Sequence, residues 1–150
     1  MTASRRTLHC HMLTDGELME GFENGSLSEF PHAQHVRLTI VYLARHGRDE
    51  TLRRMSDGLR RFATSKGHPE KFHVTMTRAW VDLIDAARAA NPSADDPAAL
   101  VAACPQLLDR DALLRFYSPE RLHSDEARER WIPPDRAFHP HPDGISVRLR

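Results

Sequence analysis

The sequence predicts an all-α fold with a single domain. Apolar residues recur at spacings of three and four over long segments, which is the period of an amphipathic helix. Capping residues and glycine or proline terminators bound most of these segments, and no pair of segments has the alternating pattern of β-strands. The 150 residues match the length of one domain, which can bury a core without disulfides or metal.

The two N-terminal helices are predicted over residues 15–24 and 31–46. Thr14 and Glu17 form a capping box at the start of the first, and Gly25 stands where a glycine ends a helix. Pro31 suits the first turn of the second helix. Because the second helix is apolar nearly all round, we expect it at the centre of the domain.

The third helix is predicted from its capping residue Asp49 to Gly67, and the fourth from about residue 71 to residue 90. Asn91 ends the fourth because a residue before proline disfavours helical dihedrals. Short helices follow at 97–104, from Asp109 or Asp111 to about Phe116, and behind Ser118 and Ser124. The helical domain is thus predicted over residues 14–136, between a flexible N-terminus (1–13) and a proline-containing C-terminal arm (137–150).

The composition excludes several classes of protein. The 21 Lys and Arg residues balance 21 Asp and Glu residues, so nucleic-acid binding is not expected. No apolar run is long enough to span a bilayer, and no secretory signal follows the N-terminal arginines, so no membrane partner is expected. Two cysteines without CxxC spacing favour a reduced, cytoplasmic protein. The sequence leaves open whether the protein forms a homo-oligomer.

Three histidines stand out among the ten in the chain. His32 and His35 are three residues apart and share one face of the second helix, and His73 shares a face of the fourth with apolar residues. Imidazoles on core faces need partners. A divalent metal, Zn or Fe, is one candidate partner, with His32, His35 and His73 as ligands and Glu23 as a fourth.

The alternative is a metal-free site in which a histidine acts as general acid or base. The predicted catalytic residues are His35, His73 and Tyr117. Arg121, Thr77 and Tyr42 are the predicted substrate-binding residues, because a guanidinium pairs with a carboxylate or phosphate and hydroxyls donate hydrogen bonds. Without a glycine-rich phosphate loop, no nucleotide cofactor is expected.

The two arginines of the C-terminal corner have different predicted roles. Arg121 is expected to face the histidine pocket, and Arg128, in a more solvated neighbourhood, is expected to brace the corner. The serine caps Ser118 and Ser124 have two interpretations. They present backbone N–H groups to an anion, or, as we favour, they form a structural corner in which the caps and Arg–Glu pairs hold two short helices together.

The runs FPHAQHVRLTIVYL, KFHVTMTRAW and YSPERLHSDEARERWIPPD resemble, in this order, an uncharacterised group of small bacterial helical proteins. The resemblance covers about residues 15–135 and implies no activity or cofactor. It groups the following residues into one pattern: His32, His35, His73, Thr75, Thr77, Tyr117, Arg121, Ser124 and Arg128.

The leading hypothesis is therefore a small cytoplasmic enzyme with a histidine-lined pocket that holds a divalent metal and acts on a small, acidic molecule. The class of reaction (lyase, hydrolase or oxygenase) is left open. One alternative is a metal-free lyase, isomerase or cyclase with a histidine acid or base. The other is a non-catalytic helical binding or regulatory module.

Overall fold

The computed structural model describes residues 13–136, and in that range it contains helices and no strands, which confirms the all-α prediction. The α-helices are α1 (Asp15–Asn24), α2 (His32–His46), α3 (Arg48–Ser65), α4 (Val74–Ala90), α5 (Pro97–Ala103), α6 (Pro119–Leu122) and α7 (Asp125–Glu129). Short 3-10 turns lie at Pro69–Lys71, Pro105–Leu108 and Ala112–Arg115. The predicted C-terminal arm and nearly all of the predicted N-terminal segment lie outside the described residues.

Local capping signals set both ends of α1, as predicted. The Thr14 hydroxyl accepts a hydrogen bond from the Glu17 amide at 3.0 Å, and the Glu17 carboxylate accepts one from the Thr14 amide at 2.8 Å. Gly25 ends the helix in the left-handed conformation, with φ of 78°, which a residue without a Cβ adopts at no steric cost.

The central helix is α2, which packs against α1, α3, α4 and α5. Every residue from Leu38 to Leu43 is buried, so the nearly continuous apolar surface of α2 is covered by its neighbours. Helices α2, α3 and α4 also contact one another, and together they form the main core. Within residues 13–136, no helix combines the length and the apolarity that a membrane crossing requires.

The junction between α2 and α3 differs from the prediction. Helix α3 begins at Arg48 instead of behind an Asp49 cap, and Gly47 is the single residue between the two helices. Its φ of 84° lets the chain change direction within one residue. Asp49 instead accepts a hydrogen bond from the Arg48 guanidinium at 3.0 Å, and the same guanidinium reaches Asp82 of α4 at 2.8 Å.

The last described residues belong to the domain. The buried Thr75 hydroxyl donates to the carbonyl of Arg130 at 2.8 Å and accepts from the amide of Ile132 at 3.2 Å. The Arg78 guanidinium lies 4.1 Å from the centre of the Trp131 ring, a cation–π contact. These contacts hold the segment after α7 against α4.

Candidate ligand-binding cavity

A cavity of about 660 Å³ lies between α2, α3 and α4, within the size range of small-molecule sites. Its interior is lined by buried or half-buried side chains: His32, His35, Leu59, Phe62, Ala63, Phe72, His73, Met76, Thr77 and Trp80. Its mouth is lined by exposed side chains: Lys66, His68, Lys71, Arg110, Asp111 and His123. The cavity therefore has an apolar, histidine-containing interior and a charged mouth. We call His32, His35 and His73 the interior histidines.

His32, the first residue of α2, is held by the backbone. Its Nε2 lies 3.0 Å from the Leu107 carbonyl oxygen, and because a carbonyl only accepts, Nε2 carries the proton. The ring also meets the Trp80 ring edge-on, with centroids 4.6 Å apart. Burial lowers the pKa of His32 in spite of the bond to Leu107, so the ring is neutral at neutral pH.

His35 is the interior histidine without a polar partner. Its ring lies between Phe30 and His32, with centroids 5.7 and 6.2 Å away. Nε2 is buried, and neither ring nitrogen has a hydrogen-bond partner in the part of the chain that the structure describes. Burial, followed by the nearby His32, lowers the pKa of His35 to about 4. A buried polar group left without a partner costs about 1–3 kcal/mol, so its presence here calls for an explanation.

The prediction that His73 lies inside the fourth helix is wrong. His73 is the N-cap residue of that helix. The 3-10 turn at Pro69–Lys71 precedes it, and α4 begins only at Val74. Nδ1 of His73 accepts a hydrogen bond from the Met76 amide at 3.0 Å, and Nε2 donates to the Leu122 carbonyl at 2.8 Å. Both ring nitrogens are therefore used by the backbone.

The interior histidines do not fit the predicted metal site. His73 has no free lone pair, and Nε2 of His32 carries a proton that it donates to a carbonyl. Within residues 13–136, no three His, Cys, Asp or Glu side chains are grouped so that they could hold a metal ion. As the structure arranges them, these rings present too few free nitrogens for a three-histidine site.

The predicted metal ligand Glu23 and the predicted substrate-binding residue Tyr42 lie elsewhere, in contact with each other. The Tyr42 hydroxyl donates to the Glu23 carboxylate at 2.6 Å, and Arg54 donates to the same oxygen at 3.2 Å. Burial, followed by the bond to Glu23, raises the pKa of Tyr42. Neither residue lines the cavity; they join α1 to α2 and α3.

The backbone also engages the predicted catalytic residue Tyr117 and the other predicted substrate-binding residues. The Tyr117 hydroxyl, buried in the core, donates to the Ile132 carbonyl at 2.8 Å, and Arg121 donates to the Pro133 carbonyl at 2.7 Å. Neither lines the cavity, although Arg121 was expected to face it. Thr77 does line it, but its hydroxyl donates to the His73 carbonyl at 2.7 Å.

The serine corner, interpreted as an anion site or as a structural corner, holds one of the chain's own carboxylates. Asp135 accepts from the Ser118 amide at 2.7 Å and from the Ser118 hydroxyl at 2.6 Å. The amide at the start of α6 is therefore already bonded. Arg128 pairs with Asp125 of the same helix, α7, at 2.9 Å, so this ion pair does not connect α6 to α7, and the bracing role stays a prediction.

Sequence reasoning missed the cations at the cavity mouth. Lys66 and Lys71 are the only lysines in the chain, and both lie there with Arg110. The Lys66 amine donates to the Ser28 carbonyl at 2.6 Å. Neither Lys71 nor Arg110 forms an ion pair with any residue in the range 13–136. The signal in the sequence was the rarity of lysine, since both lysines stand close together in the α3–α4 connection.

No protein-family model matches the chain, and it has no match among curated proteins or solved structures. The resemblance to small bacterial helical proteins stays a prediction. The function must therefore be inferred from the cavity itself.

Proposed function

We propose that the protein binds a small organic anion in the cavity between α2, α3 and α4. The observation that carries the proposal is the charge at its mouth. Lys66, Lys71 and Arg110 are exposed there, and Asp111 is the sole carboxylate among the lining residues that the structure describes. Because the whole chain is formally neutral, this positive charge is a local feature, and it would attract anions to the cavity.

The cations at the mouth differ from two arginines of α3 that are paired with carboxylates. On α3, Arg53 pairs with Glu50 and Asp57, and Arg54 pairs with Glu50. Lys71, in contrast, has no carboxylate of the described residues within ion-pair distance. A hydrogen bond between a charged donor and an anion contributes about 1.5–3 kcal/mol, less when the donor is exposed.

The interior decides what kind of anion fits. Phe62, Phe72, Met76 and Trp80 offer an apolar surface below the cations. Burial of apolar surface contributes about 25 cal/mol per Å², so an apolar body in the interior adds to the attraction of charge at the mouth. A small inorganic anion would leave this surface unused.

Fluorescence titration with anilinonaphthalene sulfonate, an aromatic anion, tests the proposal. Lys71→Glu and Arg110→Glu should each weaken binding about tenfold, because each removes a cation and adds a repulsive charge. Arg45→Glu is the matched control, since Arg45 is exposed in the last turn of α2 and does not line the cavity. Circular dichroism checks that the variants fold. Equal affinity in the control and in both cavity variants would refute the proposal.

A second candidate is catalysis without metal, with His35 as the base. The observation that favours it is the unpartnered, neutral His35 ring in the cavity wall. Such a ring can accept a proton from a C–H bond of a bound acid, which is the first step of many lyase, isomerase and cyclase reactions. Proton exchange of bound carboxylic acids in heavy water, followed by NMR, tests it. Exchange that is lost in His35→Gln supports an enzyme, whereas binding without exchange supports a non-catalytic module.

A further inference from the structure

We propose that the ligand is a hydroxyaryl carboxylate, with its carboxylate at the cavity mouth and its hydroxyl group against the His35 ring. The inference rests on the proposed anion binding at the mouth. It adds the chemistry of the ligand's body and of its far end. Each of these two additions comes from a different part of the cavity interior.

The walls favour a flat aromatic body. Phe62, Phe72 and Trp80 come from α3, from the α3–α4 connection and from α4, and all three line the same cavity. Aromatic pairs contribute beyond their buried area when the rings stack with an offset or meet edge to face. The Met76 thioether is a further favourable neighbour for an aromatic ring. An aliphatic body of equal size would gain the burial but not these contacts.

The difference among the interior histidines points to the hydroxyl group. The backbone satisfies both nitrogens of His73 and Nε2 of His32. His35 lines the same cavity, yet neither of its ring nitrogens has a partner among the described residues. A hydroxyl group donates and accepts, so it suits either tautomer of a neutral imidazole. A second carboxylate there would have to lose its hydration in an apolar interior, which is costly.

Titration calorimetry on the full chain with matched pairs of acids tests the inference. The pairs are para-hydroxybenzoate with benzoate, para-hydroxyphenylacetate with phenylacetate, and para-hydroxyphenylpropionate with phenylpropionate. The series varies the length between the two polar ends. In at least one pair the hydroxylated acid should bind about tenfold more tightly, since its partner leaves His35 unsatisfied. Benzoate should also bind more tightly than cyclohexanecarboxylate.

The variant His35→Phe separates recognition by the imidazole from simple packing. It should bind each unsubstituted acid about as well as the wild type does and should lose the preference for the hydroxylated acid. If this variant does not fold, NMR of the wild-type chain replaces it. The His35 ring nitrogen shifts should then move with the hydroxylated acid and not with its partner.

The outcomes keep the two proposals apart. Absence of a preference in every pair, or a preference that survives in His35→Phe, overturns the hydroxyaryl inference. Equal binding of cyclohexanecarboxylate and benzoate overturns its aromatic part. In each case the anion site stands if charge reversal at Lys71 and Arg110 still weakens binding. Binding that is insensitive to those reversals overturns the anion site and, with it, the inference.

Discussion

The His73 cap gives the most direct test of how the structure holds the cavity wall. His73→Ala removes the acceptor for the Met76 amide, a bond of 3.0 Å, and the donor to the Leu122 carbonyl, a bond of 2.8 Å. Loss of a helix cap costs about 1 kcal/mol, and loss of one more hydrogen bond costs about 1 kcal/mol. We therefore expect the free energy of unfolding to fall by about 2 kcal/mol.

His73→Asn divides this loss into its two parts. An asparagine side chain can accept from the Met76 amide, as a good N-cap residue does, but we expect it to lose the bond to Leu122. Its loss should therefore be about 1 kcal/mol. His68→Ala is the control, because His68 is exposed and its ring contacts Glu70 at 3.2 Å on the surface. It should change stability by less than about 0.5 kcal/mol.

Urea denaturation at neutral pH, followed by circular dichroism, measures the free energy of unfolding. We expect it to decrease from the wild type to His73→Asn and further to His73→Ala. Wild-type stability in His73→Ala would refute the capping role. An asparagine variant no more stable than the alanine variant would show that the cap contributes nothing and that only the Leu122 contact matters.

Three further predictions follow from the core and from the histidines. At Gly58 an added Cβ would lie 2.1 Å from the Phe22 ring, so Gly58→Ala should lower the free energy of unfolding by about 2 kcal/mol. Gly16→Ala is the control, because the space around Gly16 is open, and it should not destabilise the protein. Equal melting temperatures of the two variants would contradict this prediction. Thr75→Val keeps the volume but leaves two backbone groups of the C-terminal segment without their partner, so it should cost about 2 kcal/mol and speed amide exchange at residue 132; unchanged exchange would refute the anchoring role. Burial lowers the pKa values of the interior histidines in the folded state, and that of His35 falls from 6.5 to about 4. The unfolded chain therefore binds more protons than the folded chain between these pH values. The free energy of unfolding should then fall as the pH decreases from 6.5 towards 4. His35→Phe should make that dependence shallower, and an identical slope in denaturation experiments would count against the burial of a neutral ring.

Most helix ends could be predicted because capping acts between residues that are close in the chain. The Thr14 box, the Asp96 cap that accepts from the Ala99 amide at 2.8 Å and the Ser124 cap that accepts from the Ala127 amide at 3.1 Å each span three residues. The burial of α2 could be predicted for a similar reason, since an apolar surface on all sides has to be covered. The start of α4 could not be predicted, because histidine is not a typical capping residue.

The candidate site could be predicted only in part. The spacing of His32 and His35 places both on one helix face, and in the structure both line one cavity with His73. Their chemistry could not be predicted, because it depends on carbonyls far along the chain. Leu107 follows His32 by 75 residues, and Leu122 follows His73 by 49.

Composition and short-range periodicity were enough to predict the helical class, the central helix and the placement of His32 and His35 on one helix face. The contacts between polar groups, in contrast, depend on how the whole chain folds. The tertiary structure brought Lys71 and Arg110, from two distant connections, to one cavity mouth, and it engaged Arg121 with the Pro133 carbonyl. The physical reason is that backbone carbonyls left without partners outside helices must be satisfied by whatever donor packs against them. Which donor that is depends on the packing of the whole chain and not on any local pattern.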